Sequence, residues 1–250
     1  MNFKNISLLL FVVFFTHFIS CEKNEDNTLQ NGSVSLNIDH VFGTTGDAFI
    51  LNKEYTHPRL NEKMTFNKFR YYISNIKLKN VDGTWYSVPE SYYLVDLEKL
   101  KGNVIDLKDI PGGEYTDIEW MYGVDSTRNV SGAQTGVLDP VNDMFWSWNT
   151  GYIMLKAEGT SPDAQGGSFS FHLGGFKGEY KIQSTHQYAI GKLIVDGDRE
   201  AEIHMIANPA QLWHAADKLS IKSSQMAPGV VAKTMSSTFY SGVTFDHIHN

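Results

Sequence analysis

Apolar and polar residues alternate with a period of two along much of this chain, which is the pattern of half-buried β-strands. The clearest run spans Ser33–Phe42, in which one face carries Val34, Leu36, Ile38, His40 and Phe42. Further strands are predicted at Tyr92–Leu97, Tyr115–Tyr122, Tyr152–Glu158, Ser168–Leu173, Tyr188–Val195 and Glu200–Ile206. Turn residues such as Asp82-Gly83 separate these runs. We therefore predict an all-β fold, a mostly antiparallel β-sandwich.

Three segments depart from simple alternation. Ile76 and Leu78 are out of phase with the preceding strand pattern, so we predict a β-bulge at Ser74-Asn75. A helix is predicted near residues 208–219, because Asn208 can cap it and Pro209 fits its first position. A second short helix is predicted over Gly229–Met235, followed by strand alternation over Phe239–His249.

The first 20 residues have the features of an export signal and are set apart from the fold. Lys4 precedes an apolar run from Ile6 to Ile19, shorter than the about 20 residues that a membrane-spanning helix needs. A small residue before a lone cysteine, Ser20-Cys21, then matches a lipobox. We predict a lipoprotein signal peptide over 1–20, a flexible acidic tether over 21–32 and one domain over 33–250. The alternative is a cleaved signal with an incidental cysteine.

Lipid on Cys21 predicts an exported protein anchored to the outer membrane, on its periplasmic face or at the cell surface. Cys21 is the one cysteine in the sequence, so the mature domain is stabilised without disulfides. The net charge of −7 becomes −8 when the signal, with its single lysine, is removed. This acidic balance argues against nucleic-acid binding, which depends on basic patches.

Eight histidines remain after the signal is removed, and some of them fall on apolar strand faces. His40 shares the apolar face of the first strand. His247 and His249 are in phase with Val243 and Phe245, and residues two apart in a strand project to the same side. Because first and last strands of a sandwich are often neighbours, we predict a sheltered imidazole pocket that suits copper or zinc. The alternative is core histidines bonded to backbone carbonyls, with a frayed chain end.

Two other histidines lie in predicted strands with polar neighbours on one face. His172 is out of phase with Phe169 and Phe171, yet the Gly174-Gly175 pair after it allows close backbone approach, so it is a further candidate ligand. His204 is in phase with Glu200 and Glu202, and we predict that it faces water.

The densest aromatic segment runs from Met144 to Tyr152. In an extended chain Met144, Trp146 and Trp148 align on one face. One interpretation is core packing, since aromatic clusters dominate cores. The other is a redox site, with the Met144 thioether as a soft copper ligand and oxidisable indoles beside it.

Other constellations are weaker. The polar run Asp125–Asn129 is interpreted as a capped turn in which Arg128 pairs with Asp125 or Asp139. An acid pair, Glu119 and Glu158, is the basis of a third hypothesis, a hydrolase on a jelly-roll scaffold, which needs two carboxylates about 5–10 Å apart. Phosphate-loop, nucleophile-elbow and Cys-x-x-Cys motifs are absent from the sequence.

Several strings, taken in order, resemble the MbnP-like copper-binding domain family, in an exported lipoprotein form of the Bacteroidetes type. They extend from about Val34 to the C-terminus. The strings are Tyr72–Leu78, Pro111–Tyr115, Gly123–Asn129, Gly136–Pro140, Met144–Tyr152, Phe171–Gly175 and Asp246–Asn250.

This resemblance implies a copper-binding protein rather than an enzyme, with no organic cofactor. It also implies a partner, a di-haem cytochrome c peroxidase-like protein of the MauG type, that oxidises a tryptophan near the copper. Carried over, the modified residue would be Trp146 or Trp148, and the metal ligands would come from His40, His172, His247 and His249. The alternative function is a non-metal surface β-sandwich that binds glycan or a protein partner by aromatic stacking.

Overall fold

The computed structural model describes residues 29–148, 151–197, 199–214 and 219–250. Within these ranges the chain forms thirteen strands and two α-helices, and the predicted all-β sandwich is confirmed. The strands are β1 Gly32–His40, β2 Glu54–Thr56, β3 Lys63–Asn80, β4 Trp85–Ser87, β5 Tyr92–Asp96, β6 Val104–Ile110, β7 Gly113–Tyr122, β8 Phe145–Trp146, β9 Gly151–Thr160, β10 Ser168–Gly174, β11 Ser184–Val195, β12 Ala201–Ala207 and β13 Thr244–His249. The helices are α1 Ser126–Val130 and α2 Val230–Ser241.

The described strands form a small and a large sheet. The small sheet has the order β13-β12-β1-β6, in which β1 and β12 run parallel and the other pairs are antiparallel. The large sheet has the order β10-β9-β3-β7-β11, with β2, β4 and β5 pairing with the long strand β3 and β8 pairing with β9. The first strand therefore neighbours β12, and β12 separates it from the last strand.

The main core lies where the apolar faces of the strands and α2 meet. Leu36 and Ile38 of β1 are buried there with Ile203 and Met205 of β12. Each such side chain contributes about 2 kcal/mol by leaving water. A smaller cluster includes Tyr72, Val124, Leu138, Met144, Trp146, Tyr152 and Ile153. The predicted aromatic core segment thus belongs to a cluster of its own.

The bulge predicted at Ser74-Asn75 is present in β3. Asn75 has a left-handed backbone with φ of 54°, and the register of β3 with β7 shifts between Ser74 and Lys77. Asparagine tolerates this conformation better than most residues. The bulge changes the phase, so that Tyr71 before it and Ile76 after it both belong to the main core.

The helix predictions are correct in position and differ in extent. Asn208 caps a 3-10 helix over Pro209–Trp213 by accepting from Ala210 N at 3.1 Å, while residues 215–218 lie outside the described ranges. Helix α2 continues to Ser241, so the strand predicted from Phe239 begins only at Thr244. The buried positions show why: Ala232, Met235, Ser236, Phe239 and Tyr240 follow helical spacing.

The polar run after β7 forms the short helix α1, capped as predicted. Asp125 accepts a hydrogen bond from Arg128 N at 3.1 Å. The Arg128 guanidinium pairs with Glu90 instead of with Asp125 or Asp139, because Glu90 precedes β5 beside the cap.

The N-terminal predictions fall largely outside the described ranges. The signal segment 1–20, Cys21 and the tether up to residue 28 are not described. Gln30 already contacts the domain, since its N–H donates to Asp196 Oδ1 at 3.0 Å and its carbonyl accepts from Gly197 N at 2.8 Å. In the described part of the chain, every helix falls short of the length and apolarity needed to cross a bilayer.

Candidate metal centre

Three histidines converge on the small sheet. One ring nitrogen from each of His204, His247 and His249 lies within 4.8 Å of the others, and among the described residues this is the one such group of three metal-ligating side chains. The rings of His204 and His247 stack with centroids 4.4 Å apart. His249 stands across both, at 5.1 Å from His204 and 4.8 Å from His247.

A bulge in β13 creates this convergence. Phe245 lies opposite Met205, whereas His247, two residues further, lies opposite His204, so Asp246 is an extra residue in the ladder. An extra residue reverses the phase of the strand beyond it. Phe245 and Ile248 pack against the main core, while His247 and His249 are exposed. The prediction that these two histidines share the apolar face of Phe245 is therefore wrong.

The strand pattern predicts that His204 faces water and does not include it among the ligands. It does lie on the outer face, together with Glu202, and it becomes the third member of the cluster because the bulge brings His247 opposite it. The sequence signal was present in the spacing of Glu202 and His204. The missing information was the pairing of β12 with β13.

The distance between one pair of nitrogens fits a shared ion. His247 Nε2 and His249 Nε2 are 3.2 Å apart. Two nitrogens bound to one tetrahedral metal at 2.0–2.1 Å are separated by about 3.3 Å. The two rings are thus already spaced as ligands of one ion.

Carboxylates stand behind two of the rings. Asp246 Oδ2 lies 2.8 Å from His247 Nδ1, and Glu202 Oε2 lies 2.9 Å from His204 Nε2. A carboxylate on the far nitrogen fixes the tautomer and orientation of a ligand histidine. For His247 this leaves Nε2, the nitrogen that faces His249, free to bind a metal.

His40 lies apart from the cluster. It pairs with Ala207 in the ladder, three positions along β1 from Asn37, which pairs with His204. An odd separation in a strand places two side chains on opposite faces. His40 is buried, as predicted, and its Nε2 lies 3.1 Å from the Tyr71 hydroxyl. Burial lowers the pKa of His40 to about 4.

His172 also lies apart, on β10 of the large sheet. Its Nε2 is 2.5 Å from Glu158 Oε1 on the neighbouring strand β9, and Glu158 also pairs with Lys68 at 3.3 Å. This nitrogen is hydrogen-bonded to the carboxylate that also pairs with Lys68. Of the predicted ligands His40, His172, His247 and His249, only His247 and His249 therefore lie together.

Replacing Glu158 with Gln should reduce the acid sensitivity of folding. The hydrogen bond from His172 and the charge of Lys68 lower the pKa of Glu158 to about 2. Because the pKa is lower in the folded state, the stabilisation is complete above about pH 4.5 and is lost as the pH falls toward 2. After screening at this partly exposed group, we expect about 1–2 kcal/mol.

Urea unfolding at about pH 5 and about pH 3 measures this loss. Glu54→Gln is the matched control, because that exposed carboxylate pairs with Lys63 at 3.2 Å on the surface. A Glu158→Gln variant with the same pH difference as the unmodified chain would contradict the assignment.

The tryptophan segment occupies another place. Met144 and Trp146 are buried in the smaller cluster, and Trp148 is 65% exposed. The two indoles lie 5.5 Å apart at 44°, so they do not form the flat stacking platform expected of a glycan-binding pair. They line a cavity of about 660 Å³ together with Phe176 and Tyr180. None of the three clustered histidines lines it.

The acid pair of the hydrolase hypothesis is not formed. Glu119 pairs with Lys77 of β3, whereas Glu158 pairs with Lys68 of the same strand. Lys68 and Lys77 are nine residues apart in β3, which corresponds to about 30 Å. Glu158 and Glu119 are therefore much further apart than the two carboxylates of a glycosidase.

Comparison with known proteins agrees with the fold and with the predicted family. The family model described as MbnP matches residues 31–235. This chain belongs to the MbnP family. The match includes His204, while His247 and His249 follow its end. MbnP-family membership carries no known catalytic activity.

A solved structure has a similar fold. MbnP from Methylosinus trichosporium aligns with this MbnP-family chain at a TM-score of 0.53 and 14% identity, covering 81% of this chain and 83% of that one. At this identity the likeness concerns the fold. Among curated proteins, none matches this chain.

Proposed function

We propose that this MbnP-family protein binds copper at the cell envelope through His204, His247 and His249. The observation that carries the proposal is the convergence of three imidazoles within 4.8 Å. Imidazole nitrogen suits copper and zinc, whereas calcium and magnesium prefer oxygen. The cluster offers three ligands and an exposed side, so a fourth position is open to water or to a further ligand.

The nitrogen ligands of the site favour copper over zinc. For a given nitrogen site the affinity for divalent metals peaks at copper. The cluster is built from imidazoles, and Met144 belongs instead to the smaller core cluster. We therefore propose Cu(II) as the bound form. The protein holds the ion and catalyses no reaction of its own.

Metal analysis tests the copper proposal. The full-length protein, purified without chelator and incubated with equal Cu(II) and Zn(II), should retain about one copper per chain after gel filtration. Electron paramagnetic resonance should show nitrogen couplings from the imidazoles. Retention of zinc in place of copper, or of neither metal, would overturn the proposal.

The envelope location and the peroxidase partner are further parts of the proposal. The lipobox at Ser20-Cys21 supports lipid anchoring, and the family resemblance supports oxidation of a tryptophan by a di-haem peroxidase. Trp148 is the more accessible indole, and Trp146 lies behind it at 5.5 Å. A partner docking at Trp148 would reach both rings, although their cavity is separate from the histidine cluster.

Peptide masses test both parts in one experiment. In protein from the membrane fraction, the N-terminal peptide should carry lipid on Cys21. The peptide containing residues 144–148 should change mass only when the peroxidase is co-expressed. A Trp148→Phe variant, compared with Trp85→Phe as a surface control, identifies the first site of oxidation. An N-terminal peptide without lipid would contradict the membrane anchor. A 144–148 peptide of unchanged mass would contradict the peroxidase partner.

A further inference from the structure

A buried tyrosine and a buried histidine share a hydrogen bond in the main core. The hydroxyl of Tyr71 lies 3.1 Å from His40 Nε2, and both side chains are at least nine-tenths buried. In the imidazole tautomer with its proton on Nδ1, Nε2 carries the lone pair and accepts a hydrogen bond from the phenol.

Tyr71 is also one end of a chain of aromatic rings. Its ring centroid is 6.4 Å from that of Tyr122, and the Tyr122 and Tyr188 hydroxyls are 2.9 Å apart. Tyr188 stacks on Trp120 at 4.5 Å and is only partly buried in β11. Oxidisable rings therefore connect the protein surface to Tyr71 through steps of a few ångströms.

Whether a buried phenol can be oxidised depends on the group that its hydroxyl bonds to. Burial raises the pKa of Tyr71 well above its usual value of 10, so the phenolate is not accessible at rest. Removal of an electron from such a phenol requires a base that takes the proton at the same time. His40 is neutral at physiological pH, because burial holds its pKa near 4, and it can accept that proton.

Neighbouring buried tyrosines lack such a base. The hydroxyl of Tyr122 lies 2.9 Å from that of Tyr188, and the buried hydroxyl of Tyr240 has no hydrogen-bond partner among the described residues. Tyr72 donates to the backbone carbonyl of Val137 at 2.9 Å. Within this group, Tyr71 alone bonds to an imidazole.

We propose that Tyr71 and His40 form a proton-coupled redox pair that accepts an oxidising equivalent through Tyr188 and Tyr122. One electron leaves Tyr71 for a strong one-electron oxidant of the high-valent haem class. The phenolic O–H bond breaks, its proton moves to His40 Nε2, and a neutral tyrosyl radical and an imidazolium remain. An external one-electron reductant reverses the step when the proton returns to the phenol. This role is separate from metal binding, because the histidine triad does not include His40.

The surroundings of His40 give it contact with solvent. His40 is 8% exposed and lines a surface cleft of about 340 Å³ together with Phe49, Leu51 and Asn103. The cleft is large enough to hold a free imidazole molecule beside the His40 position.

Photochemical oxidation of the full-length protein tests the pair. Photogenerated tris(bipyridine)ruthenium(III) serves as the oxidant, with radicals trapped by freezing and read by electron paramagnetic resonance. The unmodified protein should give a tyrosyl radical, and Tyr71→Phe should lose it. Tyr72→Phe is the matched control, because it removes a buried hydroxyl from the next residue of β3 and should leave the radical unchanged.

His40→Gln separates the base from the hydrogen bond. Glutamine accepts a hydrogen bond but is not a base at neutral pH, so radical formation should slow by about 100-fold. In His40→Ala, free imidazole entering the cleft should restore the rate. For the unmodified protein, radical formation should be slower in deuterium oxide. A radical that persists in Tyr71→Phe, or forms at the same rate in His40→Gln, would overturn the proposal.

Discussion

Replacing His247 and His249 together with asparagine should weaken copper binding by more than about 100-fold. Loss of a carboxylate behind a ligand already costs about 10–100-fold in metal affinity, and loss of two ligands costs more. The substitution leaves the core intact, because both side chains are exposed on the outer face of β13. Competition titration against a copper chelator measures the affinity.

Single substitutions should weaken copper binding by smaller amounts than the double substitution. His204→Asn should weaken binding while leaving the 3.2 Å pair of His247 and His249 in place. Asp246→Asn should cost about tenfold, because it removes the carboxylate 2.8 Å from His247 Nδ1. His186→Asn is the control, since that imidazole bonds to Ser184 elsewhere in the fold. Equal affinity in the double variant and in this control would place the copper elsewhere.

The sequence predicted the fold class because alternation and turn residues report directly on strands. The bulge at Asn75 was also predictable, since it lies inside one long strand where a phase slip can be seen on both sides. The bulge at Asp246 was not. Only two apolar residues, Val243 and Phe245, precede it and only Ile248 follows it, so the phase on the far side could not be fixed from the pattern.

The candidate site was half predictable for the same reason. The spacing near the chain end identifies the pair His247 and His249, but the expectation that first and last strands are neighbours gives them His40 as a partner. The parallel pairing of β1 with β12 places β12 between them. Strand order depends on long-range packing, and local periodicity carries no information about it. The sequence pattern therefore predicts correctly that His204 faces solvent. It does not predict that His247 and His249 lie beside it.

Strand phase also decides which chemistry each histidine can support. On the outer face His247 and His249 are exposed, so an ion can reach their nitrogens from solvent. On the inner face His40 is buried and bonds to a phenol. A one-residue change in register would exchange these environments. The metal site thus depends on the position of the bulge at Asp246 as well as on the ligands themselves.

Replacing Gly159 with alanine should destabilise the domain by about 3 kcal/mol, at the upper end of the usual cost of overpacking. Gly159 lies in β9 between Phe66 of β3 and Phe169 of β10. An added Cβ would meet the Thr65 carbonyl oxygen at 2.1 Å and the Phe169 ring at 2.6 Å. The first of these atoms is backbone in a central strand, so it cannot rotate away, and the sheet itself must shift.

Gly113→Ala is the matched control for this effect. Its Cβ would meet nothing closer than Asn80 Oδ1 at 3.6 Å, which is ordinary contact, at the start of β7. Urea unfolding should show a lower midpoint for Gly159→Ala at an unchanged slope, and a nearly unchanged midpoint for Gly113→Ala. Equal midpoints in the two variants would show that β9 and β3 can separate without cost. Folded Gly159→Ala protein should still bind copper, because the histidine cluster belongs to the small sheet, which does not include β9.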